Sequence, residues 1–188
     1  MALILASASP RRVELLARLG VVPDAVDPAE VDESWAAGEL PGPHAARLAA
    51  LKAATVASRH PDAIVLAADT VVAVGRRVLP KAETEAEARS CLALLSGRRH
   101  HIFTGVTVVA SGLGRHRLSE SIVTFKRFEA AEIEAYIATG EWRGKAGGYA
   151  IQGRAEAFVR ALSGSWSGIV GLPLFETRAL LRSAGLDV

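Results

Sequence analysis

The chain predicts an α/β fold built on a mixed sheet, and three observations carry the prediction. Short runs rich in Val, Ile and Leu alternate with segments of helical period. Capping residues mark several helix starts. Tight-turn residues between neighbouring strands bring hairpins into what would otherwise be a plain βαβ alternation.

Residues 3–6 read as a short buried strand. Ser9 is placed as an N-cap with Pro10 at the first helical position, and Leu15, Leu16 and Leu19 form one apolar stripe ahead of Gly20. Residues 21–43 hold four prolines and many carboxylates and read as loop or edge strand, after which Pro43 opens a helix to about residue 60. Residues 63–74 are the most apolar segment, a central strand broken by Asp69-Thr70. Gly75-Arg76-Arg77 turns the chain, and Val78-Leu79 returns antiparallel. Thr84-Glu85-Ala86-Glu87 is a capping box for a helix ending near Leu95. Residues 102–110 and 118–128 pair around a Ser111-Gly112-Leu113-Gly114 turn. A helix over 130–139 is closed by Gly140, a strand over 157–162 lies between two glycine-rich stretches, and a helix over 172–184 ends the chain.

Half of the 188 residues are apolar and 22% are charged, which excludes a disordered or collagen-like chain and suits one domain over residues 1–188. No apolar run approaches the roughly 20 residues that span a bilayer. The apolar N-terminus is followed, not preceded, by its positive charges, so it reads as a strand and not a secretory signal. Cys91 is the lone cysteine, a core residue of its helix; no intramolecular disulfide can form, and a reducing cytoplasmic compartment is expected. A net charge of +2 argues against nucleic acid as a partner. Lys52, Lys81, Lys126 and Lys145 are the only lysines among 22 basic residues.

Several familiar signatures fail. Gly140 to Ala146 is one residue short of a phosphate loop and lacks its Ser/Thr, and Gly164-Ser165-Trp166-Ser167-Gly168 has Trp where a nucleophile elbow needs Ser. His100 and His101 are adjacent, the wrong spacing for two ligands on one helix face, with no cysteine near, and are expected at a strand end or surface. Five features survive. Ser7-Ala8-Ser9-Pro10-Arg11-Arg12 joins a strand to a helix N-terminus, where free N–H groups, hydroxyls and guanidinium groups suit a phosphate or, equally, a simple cap with solvated arginines. Asp69-Thr70 puts a costly carboxylate inside an apolar strand. Asp32-Glu33 could join Asp69 in a Mg²⁺- or Mn²⁺-type site. Lys52, Lys81 and Lys145 could each meet phosphate or solvent. Gln152, between glycine-rich turns, could hydrogen-bond a base edge.

These segments, with Val31-Asp32-Glu33, Ala68-Asp69-Thr70-Val71-Val72, Leu95-Ser96-Gly97, Thr104-Gly105-Val106, Lys145-Ala146-Gly147-Gly148-Tyr149-Ala150-Ile151-Gln152-Gly153 and Val170-Gly171-Leu172-Pro173-Leu174, resemble the Maf family of nucleoside triphosphate pyrophosphatases in order along the whole chain. The resemblance implies a two-lobed fold similar to inosine triphosphate pyrophosphatases, with the active-site cleft between lobes. It implies hydrolysis of a nucleoside triphosphate to monophosphate and pyrophosphate. Asp69 matches the general base. Glu33, with Asp69, matches a site for a divalent metal cation (Mg²⁺ or Mn²⁺), and Ser7, Arg12, Lys52 and Lys81 match positions around the phosphates. Arg11, Thr70 and Gln152 match the substrate-binding triad that tracks specificity, and resemble the dTTP/UTP branch. The 7-methyl-GTP branch carries Trp, Lys and Glu at those places. A homodimer and a link to septum formation are further family expectations, and a non-catalytic nucleotide-binding regulator is the alternative outside the enzyme class. The chain departs from the family where Lys81 precedes Ala82 instead of Pro, where Gly144 replaces a common acid, and where Trp166 replaces Tyr.

Overall fold

The computed structural model describes residues 1–188 and has the mixed α/β architecture. The strand β1 (Leu3–Leu5) pairs in parallel with β2 (Ala25–Val26) on one side and β3 (Ile64–Val74) on the other. The β3 strand pairs antiparallel with β4 (Arg77–Leu79) and β6 (Arg99–Ala110). The strands β7 (Leu113–Phe125) and β9 (Val159–Ser163) continue the seven-stranded sheet. A separate two-stranded sheet joins β5 (Lys81–Ala82) to β8 (Lys145–Ala146). The helices are α1 (Pro10–Ala17), α2 (Pro41–Ala57), α3 (Glu85–Leu95), α4 (Ala130–Thr139), α5 (Trp166–Val170) and α6 (Leu174–Ser183). None is long and apolar enough to cross a membrane.

Strand alternation sorts the core into two layers. Leu3, Leu5, Ile64, Leu66 and Ala68 turn to the larger core, with Leu15 and Leu16 of α1 and Leu180 and Leu181 of α6. Ile4, Ala6, Val65 and Ala67 turn the other way and meet Ala53 and Val56 of α2. Asp69 continues this second series, so its carboxylate is directed at α2. The α2 face is alanine-rich because helix and sheet approach closely. A Cβ at Gly105, which lies opposite Asp69 in the β3–β6 ladder, would stand 2.5 Å from the Ala45 carbonyl oxygen. Glycine there seats α2 on the sheet.

The sheet also contains a gap. Pairing of β1 with β3 stops at Leu66, and β4 takes up the same edge only from Val72. Asp69 and Thr70 lie between, where the β3 edge is uncovered while its other edge is fully paired with β6. A polar break in a central strand is tolerated because it falls in this opening.

The structure revises several expected details. The second helix starts at Pro41, since two prolines fit its first turn. The long hairpin turns in two residues, Ser111 and Gly112, both with positive φ, so the ladder runs unbroken from Ala110↔Leu113 instead of opening before residue 118. The last helix is divided, because Gly171 at φ 130° and Pro173 end α5 before α6 begins. The strand expected over 157–162 is preceded by a 3₁₀ turn, Arg154–Phe158. Ser9 makes no side-chain cap bond; its neighbour Ser7 accepts the Ser9 N–H instead. His100 is at a strand end, second in β6, but not at the surface: β6 starts earlier than expected and points it inward, fully buried, with Nε2 at 2.7 Å from the Tyr149 hydroxyl. Burial lowers its pKa to about 4. His101, on the opposite face, pairs with Glu120. Cys91 is buried as expected, and the Thr84–Glu87 capping box forms.

Candidate active site

A cleft of about 470 Å³ opens at the gap in the sheet, a size that suits a small-molecule ligand. One wall is the β1–α1 turn, α2 and the middle of β3. The other is Lys81 with residues 143–146 and 149–152. Ser7, Arg11, Arg12, Glu33, Lys52, Asp69, Thr70, Lys81, Lys145 and Gln152 all line it, so of the residues considered above for binding or chemistry the structure brings together all but Asp32.

Lys52 is the hub of the first wall. It leaves α2 nearly buried, and its Nζ donates to Asp69 Oδ1 at 2.7 Å and stands 2.6 Å from Glu33 Oε1. Lys81 Nζ lies 3.6 Å from Glu33 Oε2, which shows that its ammonium enters the cleft although Ala82 replaces the family's Pro. Glu33 is partly desolvated, which would raise its pKa, but the hydrogen bond and charge of Lys52, with Lys81, outweigh this and lower it. Asp69 Oδ2 has no protein partner and is not sealed from the cleft, so it is open to a water molecule. Asp32 is turned away and accepts the Ser34 N–H.

Arg12 folds back under the β1–α1 turn. Its Nη1 donates to Ser7 Oγ at 2.7 Å and its Nε to the Gly171 carbonyl at 2.8 Å. Burial lowers its pKa to about 10, opposed by the charge of Asp69, and it stays cationic at neutral pH. Arg11 lines the cleft without an ion-pair partner; burial, and after it the charge of Arg11, lower the pKa of Lys145. Two cations without carboxylate partners lining one cleft suit an anionic ligand. Thr70 Oγ1 is 3.0 Å from Thr104 Oγ1, which donates to the Gly168 carbonyl. The one Thr104 proton is thereby used, so Thr70 donates to Thr104 and can only accept from a ligand.

Two features escaped the sequence. Arg143 lines the cleft, its guanidinium 4.7 Å from the ring centre of Trp142; its place beside Lys145 was the available signal. The Gly171 carbonyl that fixes Arg12 is a backbone group 159 residues away and had no side-chain signal. No cluster of three His, Cys, Asp or Glu side chains is present. Two carboxylates converge on one positive charge, however, and that donor set fits a hard divalent cation completed by phosphate oxygens and water.

A family model described as Maf-like protein matches residues 2–184. A dTTP/UTP pyrophosphatase of Novosphingobium aromaticivorans is 64% identical over 99% of this chain and 93% of its own length. Proteins with the same name from Rhodospirillum rubrum and Caulobacter vibrioides are 61% and 58% identical, over 97% and 98% of this chain and 88% and 96% of their own. Among solved structures, the Staphylococcus aureus Ham1 protein aligns over 67% of this chain and 71% of its own, at 15% identity and a TM-score of 0.45.

Proposed function

The chain belongs to the family of Maf-like proteins, and on that premise we propose that it hydrolyses dTTP and UTP to the nucleoside monophosphate and pyrophosphate. The observation that carries the reading is the charge of the cleft: Arg11, Arg12, Lys52, Lys81, Arg143 and Lys145 face only two carboxylates, Glu33 and Asp69. That excess matches a triphosphate and would attract one. The dTTP/UTP names of the relatives support the substrate.

In this reading Asp69 Oδ2 takes a proton from water as the water oxygen bonds to the α-phosphorus. The bond from that phosphorus to the α–β bridging oxygen breaks, and pyrophosphate leaves with the electron pair. Lys52 holds Asp69 in place through Oδ1. Arg12, fixed by Ser7 and Gly171, neutralises developing charge without having to reorganise. Glu33 and Asp69 would hold a Mg²⁺ or Mn²⁺ ion, which when bound supplies further neutralisation of the phosphates. For the base, Thr70 is an obligate acceptor and Gln152, which makes no side-chain hydrogen bond, presents both a donor and an acceptor. Uracil and thymine carry an N3–H for Thr70, and cytosine does not. Arg11 completes the specificity triad.

The test is pyrophosphate release from dTTP, UTP, CTP, GTP and 7-methyl-GTP, with and without Mg²⁺ or Mn²⁺. Metal-dependent release fastest for dTTP and UTP is expected. Preference for 7-methyl-GTP would overturn the base assignment, and binding without release from any of them would favour a regulator over an enzyme.

A further inference from the structure

We infer that Arg47 is a positioning residue for Glu33, an inference that rests on the reading of Glu33 as a working carboxylate of the cleft. Glu33 sits in a stretch, residues 27–40, that contains neither strand nor helix. Its side chain is 45% exposed, yet it reaches Lys52 and Lys81. Lys52 and Lys81 draw its carboxylate, but the irregular backbone that carries it has no helix or strand ladder of its own to fix where the side chain starts.

The missing constraint comes from α2. The Arg47 Nε donates to Glu39 Oε1 at 2.7 Å, and Nη2 donates to Glu39 Oε2 at 2.8 Å, a two-pronged pairing. The same Nη2 reaches the carbonyl oxygen of Ser34, the residue after Glu33, at 2.9 Å. Glu39 is held in turn by the Ala36 N–H and by His44 Nδ1. The Trp35 ring lies flat on His44, 3.6 Å between centres and 4° from parallel. One guanidinium therefore ties the backbone beside Glu33 to the helix that also carries Lys52, five residues further on. The helix fixes both the carboxylate's backbone and its counter-charge. Lysine could not repeat the arrangement, because it offers a point charge in place of a planar fork.

An ion pair that only closed a surface loop would affect folding and leave turnover of the folded protein unchanged. Positioning acts through Glu33 and vanishes when Glu33 is altered. The experiment is dTTP turnover with Mg²⁺ for the whole chain and for Arg47→Ala, Glu33→Gln and the double variant, with hydrogen exchange over residues 31–36 measured on metal-free protein. We expect Arg47→Ala to lower kcat about tenfold while KM moves less than about threefold, and to speed exchange over 31–36. In the Glu33→Gln background the same change should cost less than about twofold. Arg47→Lys should recover part of kcat, and Glu39→Gln, which keeps the fold's shape, should move kcat in the same direction as Arg47→Ala. Equal losses in both backgrounds would overturn the inference, as would unchanged kcat in Arg47→Ala beside a disabled Glu33→Gln. Wild-type turnover by Glu33→Gln would overturn the reading of Glu33 itself, and the positioning role with it.

Discussion

The two walls of the cleft treat their polar side chains in opposite ways. On the sheet wall Asp69 and Glu33 are tied to Lys52, and Arg12 to Ser7 and the Gly171 carbonyl. On the wall formed by residues 143–152, Gln152 makes no hydrogen bond and Lys145 Nζ reaches only the Arg143 carbonyl. Its backbone is nonetheless firmly seated. A Cβ on Gly147 would lie 3.0 Å from Val72, and the Tyr136 hydroxyl accepts the Ala150 N–H while that of Tyr149 meets His100. One wall has its functional groups preorganised, as chemistry requires; the other keeps fixed backbone and free tips, as recognition requires. Loss of a tied group such as Asp69 should therefore appear in kcat, and loss of a free tip such as Gln152, or Arg11 on the facing wall, in the choice between nucleotides.

Asp69→Asn should have the largest effect. It keeps the shape and a hydrogen-bond acceptor for Lys52 but loses the base, and turnover of dTTP should fall by a factor of roughly 10²–10⁴, with the folding transition little changed by circular dichroism. Turnover near that of the wild type would remove the sheet wall from the chemistry.

Acid should loosen the second wall from beneath. His100 has a pKa of about 4 when folded, against roughly 6.5 unfolded. Below pH about 6.5 the unfolded chain binds a proton that the native one refuses until about pH 4. Stability from neutral His100 is thus complete above pH about 6.5, declines between the two values and is flat below them, a change on the order of 3 kcal/mol. Urea unfolding at pH 7 and pH 4 should show a smaller difference for His100→Gln than for the wild type. An equal difference in both would mean that His100 is not the group responsible.

The specificity side gives the smaller effect. Gln152→Ala removes hydrogen bonds worth about 1–3 kcal/mol, so the ratio of kcat/KM for dTTP over GTP should fall between roughly fivefold and a hundredfold, with kcat for dTTP changed far less. Competition assays with the two nucleotides measure this directly, and an unchanged ratio would take base reading away from residue 152.

Most of the architecture was legible because strand and helix periods are strongly written: Leu3 to Ala6, the run ending at Val74, and the Thr84–Glu87 capping box all form where the pattern puts them. Errors fell where backbone chemistry overrode pattern. Ser111 adopts φ 50°, uncommon for a residue other than glycine, and this let the hairpin run longer than its turn residues implied. His100 was expected at a strand end or the surface; it is at the strand end but buried, because its partner Tyr149 lies 49 residues away and leaves no local trace. The site was legible as a set of residue types, from ordered motifs that each allowed a bland alternative. Its connections were not: the gap between β1 and β4, the bridging by Lys52 and the fastening of Ser34 by Arg47 all depend on which elements become neighbours.

The division of labour between the walls is tested most directly by steady-state kinetics of Asp69→Asn and Gln152→Ala side by side, each with dTTP, UTP, CTP and GTP at saturating Mg²⁺. Asp69→Asn should lose rate on all four while keeping their ranking, and Gln152→Ala should keep its dTTP rate while the ranking flattens. A changed ranking in Asp69→Asn together with a uniform loss in Gln152→Ala would contradict that division.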